Sequence, residues 1–107
     1  MMTTDQLAAI LAERVMQWGL GPDRFLLGER RWIPRWRFQP TVRLEDAFRL
    51  LERLAPDEYT MGAAPDGRSW AKVRVAGVLG EATESSRARA VTFAISRAFG
   101  IEVESCD

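Results

Sequence analysis

Eleven residues in the first half of the sequence, RRWIPRWRFQP at positions 30–40, concentrate side chains that bind other molecules. The segment holds four arginines, two tryptophans and one phenylalanine. Guanidinium groups form paired hydrogen bonds with phosphates and carboxylates, and exposed indole rings stack on bases or pack into protein interfaces. We therefore predict a candidate interaction surface here. Its residues are Arg30, Arg31, Trp32, Arg35, Trp36 and Arg37.

The charge around this segment is one-sided, because six arginines and a single acidic residue, Glu29, lie between Arg24 and Arg43. One hypothesis is that these arginines bind nucleic-acid phosphates while the aromatic rings stack on bases. The other is that the aromatic side chains fill the space between two helices and the arginines pair with the acids that follow. Those acids are Glu45, Asp46, Glu52, Asp57 and Glu58. We favour this packed connector, since fifteen basic and fifteen acidic residues leave the whole chain neutral.

The sequence is poor in groups that perform catalysis or bind metals. It contains no histidine, which excludes Ser-His-Asp and Cys-His catalysis and imidazole ligation of metals. The single cysteine, Cys106, cannot form an internal disulfide, and we interpret it as incidental. The glycines at 19, 21 and 28 lack the GK[ST] ending of a phosphate-binding loop. We therefore predict a protein that is not an enzyme, with no cofactor and no metal.

Two carboxylate pairs are the remaining candidates for acid-base chemistry. They are Asp57 with Glu58, beside Tyr59, and Glu102 with Glu104. Catalytic carboxylates need a pocket that shifts their pKa, whereas acids in a turn or near a terminus are usually solvated. We interpret both pairs as surface residues.

A second candidate surface lies in the alternating segment WAKVRV. Trp70, Lys72 and Arg74 point to one side of a predicted strand, and the residues between them point to the other. An aromatic ring with two cations on a sheet face can hold a single strand of nucleic acid. We favour the structural alternative, in which Trp70 packs under a helix and the long stems of Lys72 and Arg74 cover apolar surface.

Amphipathic helices are predicted on both sides of the arginine and tryptophan segment. The first begins at Thr3, which has Gln6 in capping-box spacing, and ends before Gly19. The second begins at Thr41, carries acids in its first turn and ends before Pro56. These two helices must position the segment between them.

The rest of the chain is predicted as a connection, a hairpin and a third helix. Residues 22–40 form a long connection with a possible short strand at FLL. The APDGR turn joins two strands, and a third short strand follows. The last helix begins at Thr83 or Ser85 and ends at Gly100, with an alanine row for close packing. Residues 101–107 are a polar tail or a short edge strand.

Four segments in this order carry a family resemblance: LAERVMQW, the tryptophan-proline element of RWIPRWRFQPT, RLEDAFRLLERL and the final RARAVTFAI. Together they span most of residues 7–99, and they resemble the phage ABA sandwich domain of small phage and prophage proteins. The resemblance implies one α+β domain over residues 1–107, in which three helices pack on a small antiparallel sheet in an α-β-α sandwich-like arrangement. It implies no enzymatic activity and no cofactor.

We therefore hypothesise a phage or prophage accessory protein that acts as a non-catalytic protein-interaction module. Its partner is an unknown protein or a second copy of the chain, and the alternative is local nucleic-acid binding through residues 30–40. The N-terminal sequence has no basic leader before an apolar run, and no window is long enough to cross a bilayer. We expect no membrane partner and a cytoplasmic location in the bacterial host cell.

Overall fold

The first helix confirms the predicted capping box. In the computed structural model, which describes residues 2–103, helix α1 spans Thr4–Arg14. The Thr3 hydroxyl accepts a hydrogen bond from the Gln6 backbone N–H at 3.1 Å, and the Gln6 side chain accepts one from the Thr3 N–H at 2.8 Å. The helix ends well before Gly19, and the chain turns at Gln17, whose φ is 60°.

Residues 22–40, predicted as a long connection, instead contain most of a small antiparallel sheet. Its strands are β1 (Gly19–Leu20), β2 (Arg24–Gly28) and β3 (Arg31–Pro34), in the order β1-β2-β3. Only the strand at FLL was predicted. The register shifts between Leu26 and Gly28, and Arg30 has a positive φ of 64°. These irregularities interrupt the alternation of inward and outward side chains by which a hairpin is recognised in a sequence. A short 3₁₀ turn, Arg35–Arg37, follows β3.

Helix α2 spans Leu44–Leu54, and the predicted cap is wrong. Thr41 is buried three positions before the helix, and Arg43 occupies the N-cap position without a side-chain hydrogen bond to the helix. Asp46, in the first turn, is buried, and its carboxylate accepts the backbone N–H of Gln39 at 3.0 Å. An acid inside the helix, and not a hydroxyl before it, therefore holds the chain that enters α2.

The predicted hairpin is confirmed, and the third strand completes a second antiparallel sheet. Its strands are β4 (Glu58–Ala63), β5 (Ser69–Val75) and β6 (Val78–Glu84), with β5 in the centre. The APDGR turn closes with Gly67, whose φ is 89° and whose N–H donates to the Ala64 carbonyl at 3.0 Å. Ala76 and Gly77, both with positive φ, form the two-residue turn between β5 and β6.

Helix α3 spans Arg87–Ala98 and is capped by a serine one position after the predicted one. The Ser86 hydroxyl accepts the Arg89 backbone N–H at 3.2 Å. Ser85 precedes this cap, and Thr83 lies inside β6, so both predicted caps are wrong. Two earlier hydroxyls in the TESS segment were equally plausible from the sequence.

The alanine row of α3 packs on the second sheet, as the sequence predicts. Ala90, Ala94 and Ala98 are buried, and α3 makes its main contacts with β5 and β6. A β-carbon at Gly80 would overlap the backbone of Ala94 and Ala98. The helix therefore lies directly against the backbone of β6, and only small residues fit at this crossing.

The core contains an aromatic cluster that joins the first sheet to α1. Trp18, Phe25 and Phe38 are buried, with ring centroids 5.1 Å apart for Trp18 and Phe38 and 5.9 Å apart for Phe25 and Phe38. Ile101 and Val103 are also buried, which corrects the predicted polar tail for the described part of that segment. The protein has the predicted α+β fold, with three helices and two small antiparallel sheets where one was expected.

Candidate interaction surface

The structure leaves both tryptophans of the predicted surface open to solvent. Trp32, on β3, keeps 51% of its surface exposed, and Trp36, in the 3₁₀ turn, keeps 65%. The packed-connector hypothesis is therefore wrong for these two rings. It is correct for Phe38, which is fully buried, and for Ile33, which is half-buried.

Strand alternation explains why Trp32 is outside and its neighbour Ile33 is inside. Ile33 pairs with buried Phe25, whereas Trp32 pairs with Leu26, which is exposed on the outer face of the sheet. The guanidinium of Arg24 lies 4.5 Å from the centroid of the Trp32 ring on this face. Arg24 and Leu26 were not among the predicted site residues. The sequence signal that was missed is the alternation of inward and outward positions in RFL and RWIP, which places Arg24 and Leu26 on the same face as Trp32.

Arg35 differs from the other arginines of the segment because its side chain turns into the protein. Its guanidinium donates to the Gly21 carbonyl at 2.8 Å and lies 5.1 Å from the centroid of the Phe25 ring. Its buried Nε has no hydrogen-bond acceptor among the described residues. Arg35 therefore ties the 3₁₀ turn to the β1–β2 loop, and its role is structural.

Three predicted site residues keep their positive charge facing solvent. Within residues 2–103, Arg30, Arg31 and Arg37 form no ion pair, and all three are exposed. Arg37 lies 5.9 Å from the centroid of the Trp36 ring. The surface therefore combines exposed indole rings with guanidinium groups that no acid within residues 2–103 neutralises.

Two of the acids predicted to neutralise the arginines between Arg24 and Arg43, Glu45 and Asp46, pair with Arg43, the last arginine of that stretch. Arg43 bonds the exposed Glu45 at 2.5 Å, and this bond raises the pKa of Arg43. The buried Asp46 lies 3.8 Å from Arg43 and 3.7 Å from Arg49. The predicted pairing with the acidic end of α2 is therefore confirmed for Arg43, and among the described residues it is wrong for Arg30, Arg31 and Arg37. Those acids stabilise the start of their own helix.

A groove of about 460 Å³ separates the arginine and tryptophan segment from α2. Ile33 and Arg37 line one side of it, and the other side carries the ion-paired cluster around Asp46. The groove is open to solvent and holds no converging unpaired acids or nucleophiles. Four of its charged lining residues, Arg43, Glu45, Asp46 and Arg49, pair with one another, and Arg37 is the remaining charged residue of the lining.

The second candidate surface, on β5, is closer to charge balance. Trp70 lies across Gly62 on the neighbouring strand, where a β-carbon would come within 2.7 Å of the indole ring, so it does not pack under a helix as predicted. Arg74 pairs with Glu58 at 3.6 Å, and Lys72 lies opposite Glu81 on β6. Acids on both flanking strands therefore offset the cations of this face.

The described carboxylate pair, Asp57 with Glu58, is on the surface. Asp57 and Glu58 are exposed at the start of β4, where Glu58 pairs with Arg74. Partial burial raises the pKa of Tyr59, whose hydroxyl donates to the Met61 sulfur at 2.7 Å. The Glu102–Glu104 pair and the interpretation of Cys106 involve residues 104–107, which lie outside the described residues.

Residues 2–103 contain neither a metal-binding cluster nor a membrane-spanning helix. This part of the chain contains no group of three or more acidic or cysteine side chains close enough to hold a metal ion. None of its helices has both the length and the apolar character needed to cross a bilayer.

The fold is similar to that of a phage protein. A crystal structure of a phage protein from Bacillus cereus ATCC 14579 superposes with a TM-score of 0.78, covering 97% of this chain and 94% of that one, at 15% sequence identity. No family model matches the chain, and no curated protein matches it in sequence. At this low identity the likeness concerns the fold alone. The chain therefore has the fold of a phage protein.

Proposed function

We propose that this protein is a phage or prophage accessory protein of the phage ABA sandwich type, and that it acts by binding a protein partner and not by catalysis. The proposal is supported by the phage-protein fold and by a sequence without histidine. In this proposal the protein works in the cytoplasm of the bacterial host and needs no cofactor or metal.

The observation that carries the proposal is the exposure of Trp32 and Trp36 in a segment whose exposed arginines, Arg30, Arg31 and Arg37, have no acidic partner among the described residues. Tryptophan and arginine are the side chains most enriched at the energetic centres of protein interfaces. Leu26 extends the apolar part of the surface beside Trp32. Large aromatic side chains exposed among charged residues are typical of a binding site, since they cost free energy in contact with water.

The experiment compares partner capture by matched variants. The wild-type protein and a Trp32→Ala, Trp36→Ala variant are immobilised and exposed to host lysate, and recovered proteins are identified by mass spectrometry. A Val78→Ala, Leu79→Ala variant is the control, because it removes two similarly exposed apolar side chains at the other sheet. We expect a partner that the wild type and the control recover and the tryptophan variant does not. Recovery of the same proteins by all three would contradict the proposal.

The second candidate function is binding of single-stranded nucleic acid through the same surface. The specific observation in its favour is that Arg30, Arg31 and Arg37 have no acidic partner among the described residues, which leaves their guanidinium groups available for phosphates. Stacking on Trp32 and Trp36 would supply the sequence-tolerant part of the affinity.

Fluorescence anisotropy with a labelled single-stranded oligonucleotide tests this candidate. Affinity should fall steeply with salt, and Arg31→Ala with Arg37→Ala should remove most of it. Arg35 is unsuitable for this test, because its guanidinium is engaged within the fold. Absence of binding at low salt would exclude nucleic acid and leave the protein partner as the proposal.

A further inference from the structure

Within residues 2–103, the outer edge of β4 carries backbone groups without partners. The Ala64 N–H donates to the Arg68 carbonyl at 2.7 Å at the end of the β4–β5 hairpin. Along an antiparallel strand, the backbone N–H and C=O groups of successive residues point alternately to the two sides. The Ala64 bond therefore determines which residues of β4 direct these groups toward β5 and which direct them outward. The outward-facing residues are Tyr59, Met61 and Ala63. The ladder gives their backbone N–H and C=O groups no partner on β5, β4 has no strand on its other side, and among the described residues no turn, loop or side-chain hydrogen bond reaches them.

The opposite edge of the same sheet is protected. One guanidinium nitrogen of Arg97 donates to the Glu81 carbonyl of β6 at 2.8 Å, and another donates to the Val103 carbonyl at 2.8 Å. This bridge occupies the outward acceptor in the middle of β6. Unprotected edges pair readily with further strands, and β4 presents such an edge over six residues.

The two ends of β4 carry opposite charges. Asp57 and Glu58 are exposed at its start. Arg68 and Arg87 line a groove of about 390 Å³ beside its other end, and Arg87 forms no ion pair within residues 2–103. In an antiparallel pair the start of one strand lies beside the end of the other. Glu58 already pairs with Arg74, and Arg68 with Asp66. The charges at the two ends of β4 that are left unpaired among the described residues are therefore Asp57 at the start and Arg87 at the other end, and in these charges two copies of β4 are complementary.

We propose that β4 pairs antiparallel with β4 of a second copy of this chain, with Met61 at the two-fold axis. This register uses every outward backbone group, giving about six hydrogen bonds and one continuous six-stranded sheet. It sets the large Tyr59 opposite the small Ala63 of the second copy. It sets Glu58 opposite Ala64 of the second copy, one strand away from Arg68, which bonds Ala64 from the other side. The contact uses a different surface from the proposed partner site, and it is independent of that function.

The first test measures mass and amide exchange. Sedimentation equilibrium of the full chain should give twice the 12.1 kDa of the monomer. In hydrogen exchange, the amides of Tyr59, Met61 and Ala63 should become protected as protein concentration rises. Thr60 and Gly62, which bond β5, should be protected at all concentrations. A monomeric mass at high concentration, or unprotected amides at the odd-numbered positions in a dimer, would overturn the proposal.

The second test uses variants at the edge. Met61→Pro removes an outward N–H that the monomer does not use, so it should give a folded monomer, checked by circular dichroism. Glu58→Arg should weaken dimerisation about tenfold, since two symmetric pairs become repulsive, and adding Arg68→Glu should restore it. Glu13→Arg, an exposed acid on α1, is the matched charge control. A dimer that persists in the Met61→Pro variant would show that the contact lies elsewhere. Loss of the dimer in the Trp32→Ala, Trp36→Ala variant would show the same.

Discussion

The guanidinium carbon of Arg24 lies 4.5 Å from the centroid of the Trp32 ring, on the outer face of the first sheet. The two side chains come from neighbouring strands, β2 and β3, and the ring keeps about half of its surface open. Because the cation and the strand hold the ring in position, binding a partner there costs less side-chain entropy than ordering a mobile tryptophan. This contact makes Trp32 the best-positioned aromatic residue of the surface.

The exposed rings should dominate collisional quenching of the fluorescence. Trp18 is buried and Trp70 is half-buried, so iodide should reach mainly Trp32 and Trp36. Iodide should quench more strongly than caesium, because the neighbouring arginines attract the anion. Trp32→Phe with Trp36→Phe should remove most of the accessible fraction. An accessible fraction that survives in this variant would contradict the assigned exposures.

Replacing Arg35 should affect stability, whereas replacing Arg37 should not. Arg35→Ala removes the hydrogen bond to the Gly21 carbonyl and the contact with the Phe25 ring. It should lower the free energy of unfolding in urea by about 1–2 kcal/mol. Arg37→Ala, at an exposed position without an ion pair among the described residues, should change it by less than about 0.5 kcal/mol. Equal losses from both variants would contradict the inward role of Arg35.

Asp46 should be far more important for stability than its neighbour Glu45. Asp46 is buried, accepts the Gln39 N–H at 3.0 Å and lies within 4 Å of two arginines, whereas Glu45 is exposed. Asp46→Asn should lower the free energy of unfolding by about 1–3 kcal/mol, because a buried charge-assisted bond is lost. Glu45→Gln should cost less than about 1 kcal/mol. Urea denaturation of the two variants distinguishes a buried anchor from a surface pair.

Gly80 should tolerate no side chain. Gly80→Ala would place a β-carbon on the backbone of α3 at Ala94 and Ala98. The helix must then move from the sheet, and the thermal midpoint should fall by an amount equivalent to about 1–3 kcal/mol. Gly28→Ala is the control, since a β-carbon there meets no atom within 4 Å. Comparable midpoints for the two variants would contradict the close crossing.

The APDGR turn should have a measurable pH dependence. The backbone N–H of Arg68, and then its guanidinium, hold the pKa of Asp66 below its ordinary value of 3.8. Because the folded pKa is lowered, this contact stabilises the turn above pH 3.8 and is lost as the pH falls through the lower folded value. An NMR titration of the Asp66 carboxyl carbon should show the lowered midpoint. Arg68→Ala, which keeps the backbone N–H, should restore only part of the shift.

Local patterns in the sequence were sufficient for the helices and for the second sheet. The capping box at Thr3 and Gln6, the APDGR turn and the alternation around Trp70 all depend on residues within a few positions of each other. The alanine row of α3 likewise predicts close packing, because its spacing places small residues on one helical face. These features follow from backbone geometry that neighbouring residues determine.

The first sheet was harder to predict because its signals are weak locally. Its strands are short, a register shift interrupts β2, and Arg30 takes a conformation that non-glycine residues seldom adopt. The cap of α2 failed for a related reason. The buried Asp46 holds the preceding chain through Gln39, and this contact depends on burial that the sequence pattern does not reveal.

For the candidate site, the sequence alone determined which side chains are present and that positive charge exceeds negative charge between Arg24 and Arg43. Only the tertiary structure decided that Trp32 and Trp36 face solvent, that Arg35 turns inward and that the acids of α2 bind Arg43 and Arg49. The physical reason is that the residue types and the charge of a segment are properties of that segment alone. Exposure and the choice of ionic partner depend on how distant segments pack against it.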